Sequence, residues 1–191
     1  MSDKPVAAGN SSFDLIDAEK ALSLIAVKPG SRFLDLACGF GHYSLALADR
    51  IGEKGLVYAV DLWPEGIASL NREIAKQGIR NIQPIVADMR NRLPIEESSI
   101  DACLLATILH DLSKEDRSAA LQEIVRLLKP GGMLTIIEFK KIAEGPGPPL
   151  KIRMGEEEIE ALVAPYGFTK VAGGEVGAFN YLLKYERARV R

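Results

Sequence analysis

The sequence predicts an α/β fold in which parallel strands are crossed by helices and the chain closes on an antiparallel pair. Three observations predict it. From Arg32 onward, apolar runs of strand length alternate with longer segments of helical period. One run, Ile100–Ile108, is apolar almost without a break, as a central strand buried on both faces requires. The last two strand-like runs are joined by a turn near Gly177.

The elements follow in order. Residues 1–12 are small and polar and read as a loose N-terminal arm. A first helix is expected over Phe13–Val27, stopped by Pro29-Gly30. Strand Arg32–Ala37 precedes a helix over His42–Ile51, strand Leu56–Leu62 precedes Glu65–Gln77, and Ile82–Ala87 is a third strand. After the central run, Ser113 reads as the N-cap of a helix over Lys114–Leu128, with Ala120, Leu121, Ile124, Leu127 and Leu128 on one stripe. Pro130-Gly131-Gly132 ends that helix and Met133–Phe139 is a fifth strand. The prolines of Glu144–Pro149 exclude regular structure and predict a loop of limited flexibility. A helix over Glu156–Ala164 opens on three glutamates, where the helix dipole favours negative charge. Phe168–Val176 and Ala178–Tyr185 complete seven strands.

Composition narrows the function classes. The 191 residues suit one substantial core, and 47% hydrophobic with 26% charged residues is the balance of a soluble globular protein. Basic and acidic side chains number 24 and 26, which argues against a polybasic nucleic-acid scaffold. No apolar run approaches the ~20 residues of a membrane span, and the first dozen residues carry no apolar core of a signal peptide, so a cytoplasmic location is expected. Two cysteines, Cys38 and Cys103, are too few for a disulfide scaffold or a four-cysteine zinc site, and both read as small apolar fillers. With only two histidines, no metal site is expected.

The most informative stretch is Phe33 to Ser44, a strand that runs into a glycine turn and then a helix. Gly39 and Gly41 let backbone approach a ligand, and the helix behind them offers free N–H groups. Asp61, at the end of the next strand, can accept both hydroxyls of a ribose, and Asp88 closes the third strand in the same way. Asp35, Gly39, Gly41, Asp61 and Asp88 are thus expected to line one crevice and bind a nucleoside-bearing ligand. Gly39-x-Gly41-x-x-Ser44 also comes near the dinucleotide fingerprint. Asp35 tilts the reading away from nicotinamide, since a carboxylate there repels a pyrophosphate but attracts a sulfonium or an amino group.

At these residues the chain resembles the class I S-adenosylmethionine (SAM) dependent methyltransferases, above all the small-molecule group similar to the ubiquinone/menaquinone (type 11) enzymes. Asp35-x-Ala37-x-Gly39-x-Gly41 matches their first motif, with Ala37 in place of its first glycine. Asp61 matches the acid that holds the ribose, and Ala87-Asp88-Met89 the segment that brackets the adenine. Ile100-Asp101 through Leu109-His110 looks like the fourth motif, and Leu127 to Gly132 like the entry to the fifth strand. The likeness covers about residues 13–187, leaving 188–191 as a tail. It implies a Rossmann-like three-layer sandwich whose seven-stranded, mostly parallel sheet has its last strand inserted antiparallel. It also implies SAM as cofactor, contacted by Asp35, Ala37, Cys38, Gly39, Gly41, Tyr43, Asp61, Leu62, Asp88, Met89 and Ala106.

His110 lies just past the central strand, where transfer would occur. It reads as a general base, as a cofactor or substrate contact, or as a structural side chain. Tyr43 reads either as closing over the methionine portion or as filling the gap between helix and sheet. Glu138, Lys140 and Lys141 by the fifth strand, and Arg153 after the proline-rich loop, are candidate substrate contacts, with Arg153 suited to an anionic group. Arg187, Arg189 and Arg191 read as a solvated tail. The acceptor is expected to be a small molecule covered by the first helix and the Gly145–Pro149 loop, with the protein a monomer or homodimer and no nucleic acid or membrane as partner. A non-catalytic SAM-binding partner or sensor is the rival from another class. An RNA or protein methyltransferase is less supported, because no Asn-Pro-Pro-Tyr motif or basic face is present.

Overall fold

The computed structural model describes residues 11–189. Strands β1 (Arg32–Leu36), β2 (Leu56–Asp61), β3 (Ile82–Val86), β4 (Ile100–Ala106), β5 (Leu128–Phe139), β6 (Phe168–Glu175) and β7 (Asn180–Arg187) form one sheet in the order β3-β2-β1-β4-β5-β7-β6. Strands β1 to β5 pair in parallel, and β7 runs antiparallel between β5 and β6. The strand order reverses between β1 and β4, so the loops after these strands part and open a crevice at the C-terminal edge.

Alternation along each strand divides the core into two layers. Leu34 and Leu36 of β1 pack with Ala120, Leu121 and Ile124 of helix α4 (Lys114–Leu127) and with Ile159 and Val163 of α5 (Glu156–Val163). Phe33 faces the other way. It joins Leu22 and Ile25 of α1 (Ala18–Ile25), Leu47 of α2 (His42–Ile51) and Ile67 and Leu70 of α3 (Pro64–Gln77). The result is the expected three-layer sandwich with its penultimate position filled by an antiparallel strand.

Several boundaries differ from the expected ones. The helix expected over Phe13–Val27 is two pieces, a 3-10 helix at Ser12–Leu15 and α1. Asp17 divides them: its side chain caps α1 by accepting from the Lys20 N–H at 3.0 Å, and its own N–H donates to the Val176 carbonyl at 2.6 Å. The arm expected over 1–12 is corrected at its end, because Ser12 is buried and begins the 3-10 helix; residues 1–10 lie outside the described residues. Strand β4 stops at Ala106, because Thr107 takes a left-handed φ of 52°. Pairing in β5 begins at Leu128 as soon as α4 ends, and a register shift opposite Ile100–Ala102 absorbs Pro130-Gly131-Gly132. Arg187 belongs to β7, where its guanidinium donates to the Leu128 carbonyl, so it is no part of a solvated tail; Arg191 lies outside the described residues. No helix among the described residues is long and apolar enough to cross a membrane.

Candidate active site

The turn after β1 is built on left-handed backbone. Ala37, Gly39 and Gly41 have φ of 59°, 56° and 76°. A Cβ on Gly39 would meet nothing within 4 Å, so this backbone is open to an incoming ligand. A Cβ on Gly41 would lie 2.5 Å from Leu70 Cδ1, which explains why the helix start sits flush against α3. Ala37 holds its left-handed conformation at a cost of about 1–2 kcal/mol, sustained because the Cys38 N–H next to it donates to the Val60 carbonyl. Gly41 N-caps α2 without a side-chain bond of its own, and in the first turn the Ser44 N–H is turned to the Asp35 carboxylate.

Asp61 closes β2 with both carboxylate oxygens anchored. Oδ2 accepts from the Gly39 N–H at 2.7 Å and Oδ1 from the Trp63 N–H at 2.8 Å, yet the residue is only half-buried. This fixes the carboxylate against the glycine turn and leaves lone pairs for further donors. Beside it Leu62 is half exposed, an apolar surface next to a polar anchor. Asp88 is less free than expected. Arg90 grips it through Nε and Nη2, reaches Asp116 through Nη1, and holds the Asp88 carboxyl below its usual range. Met89 is buried in the layer under α4.

Asp35, one of the expected crevice residues, is almost wholly enclosed by protein. It shares the Phe33 face of β1, is buried, and accepts from the Ser44 hydroxyl at 2.6 Å. Burial pushes its carboxyl up to about 7, against the lowering effect of Ser44 and with a further push from Asp61. Cys38 and Cys103 are buried free thiols whose ionisation burial pushes well up, consistent with apolar fillers. Ala106, the last residue of β4, packs partly buried on the α2 side. Tyr43 shares a 3.0 Å hydrogen bond with the Ser12 hydroxyl and meets the Phe13 ring edge-on, so it ties the N-terminal 3-10 helix to α2. His42 is the first residue of α2 and stacks on Phe13.

A second cavity of about 660 Å³ opens at the ends of β4 and β5. Ser11, Ser12, Asp14 and Leu15 wall it from the N-terminal side, Thr107, His110 and Asp111 from the segment after β4, and Phe139, Pro146–Pro149 and Ile152 from beyond β5. Thus the segment before α1 and the proline-rich loop both line this space, whereas α1, the larger part of the expected first helix, is not among its walls. His110 sits in a 3-10 turn, Leu109–Asp111, that Arg117 pins by donating to the Leu109 carbonyl at 2.7 Å. Its Nδ1 lies 2.7 Å from Glu138 Oε2 and its Nε2 lies 3.6 Å from Asp111 Oδ2. Burial works to lower the imidazole pKa, but the hydrogen bond and charge of Glu138, with the charge of Asp111, outweigh it and raise the net value.

Three expected substrate contacts are engaged with partners within the protein. Arg153 is 4% exposed and spends its guanidinium on four backbone carbonyls, those of Pro146, Pro148, Lys140 and Ile142, while lying over the Phe139 ring. It shapes the cavity wall from behind, with four of its five N–H donors committed to those carbonyls. Lys140 pairs with Glu175 at 2.9 Å and Lys141 with Glu158 at 2.6 Å, and neither lines the cavity. Arg153→Ala is therefore expected to loosen the proline-rich loop. Amide hydrogen exchange at Ile142 and Ile152, whose N–H groups donate to the Lys140 and Pro149 carbonyls, would accelerate about tenfold or more while β1 and β2 stay protected; unchanged exchange there would refute this keystone role.

The residue that sequence reading undervalued is Glu138. It follows Leu134–Ile137 as a lone carboxylate in an apolar strand, and that isolation was the available signal of a buried partner. Among the described residues, no three His, Cys, Asp or Glu side chains gather in a way that could hold a metal ion.

Comparison with known proteins adds the following. A family model described as a methyltransferase domain matches residues 33–132, just over half of the chain. The chain is 36% identical over 124 residues to 2-phytyl-1,4-naphtoquinone methyltransferase of Nostoc punctiforme, covering 64% of this chain and 53% of that protein. It is 31% identical over 125 residues to the ubiquinone/menaquinone biosynthesis C-methyltransferase UbiE of Hydrogenovibrio crunogenus, covering 65% and 48%. The chain spans about half the length of the curated relatives it matches. Among solved structures, a SAM dependent methyltransferase from Aquifex aeolicus superposes with a TM-score of 0.82 at 29% identity, covering 92% of both chains. Geranyl diphosphate C-methyltransferase from Streptomyces coelicolor shares the fold, with a TM-score of 0.74 at 14% identity, 90% of this chain and 78% of that one.

Proposed function

Because the chain belongs to the methyltransferase domain family, we propose that it binds SAM in the crevice of the glycine turn and methylates a small molecule held in the adjoining cavity. One observation carries this reading. Asp61, pinned to the open backbone of Gly39, stands at the same sheet edge as a separate cavity that contains His110. The donor set suits a nucleoside joined to an amino acid: a fixed carboxylate for ribose hydroxyls, apolar Leu62 and Met89 for a purine, and the N-terminal end of α2 behind the glycine turn. Ala37, Cys38 and Gly41 shape the turn, while Tyr43 and Ala106 support its floor. Asp88 would serve through the lone pairs that Arg90 leaves unused.

When bound, SAM supplies a methyl group on a positively charged sulfur. The chain's own work is alignment and the exclusion of water: the Ser12–Leu15 segment and the Pro146–Pro149 wall enclose the acceptor, and Asp61 sets the depth of the cofactor. His110 Nε2 takes a proton from the acceptor. Residues 13–187 act as the catalytic domain, as a monomer or homodimer in the cytoplasm, with no nucleic acid or membrane partner. Incubating the purified protein with methyl-labelled SAM and a metabolite extract tests the reading. A labelled product heavier than its precursor by one methylene is expected; binding of SAM without any transfer would favour a sensor.

A further inference from the structure

Glu138 is fully buried at the end of β5, and among the described residues no lysine or arginine pairs with it. Its carboxylate accepts from the backbone N–H groups of His110 and Phe139, each at 3.3 Å, and from His110 Nδ1 at 2.7 Å. A buried carboxylate that only filled space would be better replaced by an apolar side chain, so its retention needs another reason. The reason lies on the far side of the ring, where His110 borders the cavity.

Resting on the methyl-transfer reading above, we propose that Glu138 is a positioning residue that keeps the His110 proton on Nδ1 and its Nε2 lone pair toward the cavity, selecting acceptors that react by losing a hydroxyl proton. A neutral imidazole that donates through Nδ1 can only accept through Nε2. In the step assigned to it, the acceptor O–H bond breaks, the proton joins Nε2, and the electron pair stays on oxygen as the nucleophile. Asp111, 3.6 Å from Nε2, then faces an imidazolium rather than a lone pair and stabilises the product of that transfer. The other charges facing the ring's surroundings are Arg117 from α4, which opposes protonation, and Asp14 across the cavity. Amines and thiols become nucleophilic near neutral pH with little help, whereas a hydroxyl needs this base. Walls of proline and Phe139 suit a hydroxyl carried on a flat, apolar body.

The chain has two histidines, so a His42→Gln background leaves His110 as the sole imidazole for nitrogen-15 correlation spectra across pH. The neutral ring is expected to carry its proton on Nδ1, and Glu138→Gln is expected to make His110 about tenfold or more stronger as an acid. A neutral ring protonated on Nε2, or a titration unmoved by Glu138→Gln, would overturn the proposal. The tautomer is read without altering Glu138, so it decides even if Glu138→Gln fails to fold. For the acceptor class, labelled SAM is supplied with 2-naphthol, 2-naphthylamine and 2-naphthalenethiol. Label on the naphthol, lost in His110→Gln, supports the class; label on the amine or thiol in its place, or none on the naphthol, overturns it. Calorimetric SAM affinity of the same proteins reports separately on the methyl-transfer reading.

Discussion

Asp35→Asn is expected to stabilise the folded protein by about 4 kcal/mol at about pH 8 and to change little at about pH 3. The Asp35 carboxyl is buried and pushed up to about 7 from the ordinary 3.8 of an unfolded aspartate. A raised carboxyl pKa means that its contribution to stability is fully present below the unfolded value. It declines as pH rises, because the unfolded chain releases the proton first, and it levels off above the folded value. The window therefore runs from about pH 4 to about pH 7. Asparagine keeps an oxygen to accept from Ser44 and never has to ionise in the core. Urea midpoints of both proteins across pH measure the effect. Curves that differ equally at both ends of the range would show that Asp35 acts through packing and not through its charge.

Asp61→Ala is expected to weaken SAM binding by about 100-fold, the loss of two charge-assisted hydrogen bonds to a ribose. It also leaves the Gly39 and Trp63 N–H groups without their acceptor, so the turn itself loosens. Asp61→Asn retains an acceptor and should lose only about tenfold. Calorimetric titration of the three proteins gives the series. Equal affinities would move the cofactor away from the end of β2.

Much of the architecture could be read from residue pattern because it is local. Strands buried on both faces show as unbroken apolar runs, and the Ser113 cap marks α4 because its hydroxyl accepts from the Asp116 N–H three residues on. The glycine turn was legible for the same reason, since left-handed backbone and a helix start must lie within a few residues. What escaped depends on distant partners. Asp17 divides the first helix through a carbonyl on Val176, and Arg153, expected at the substrate, is held by four carbonyls that lie upstream and that only the folded loop brings together. The pairing of Lys140 with Glu175 on β6 likewise joins parts of the chain far apart in sequence. His110 was legible by position alone; its chemistry depends on Glu138, 28 residues away.

The central claim is that the crevice at the ends of β1 and β2 is a SAM site. Isothermal titration of the unaltered protein with SAM, and separately with NAD, tests it most directly. One-to-one binding of SAM with no measurable heat from NAD is the expected result. Binding of NAD in preference to SAM, or a SAM affinity that Asp61→Ala leaves untouched, would contradict it.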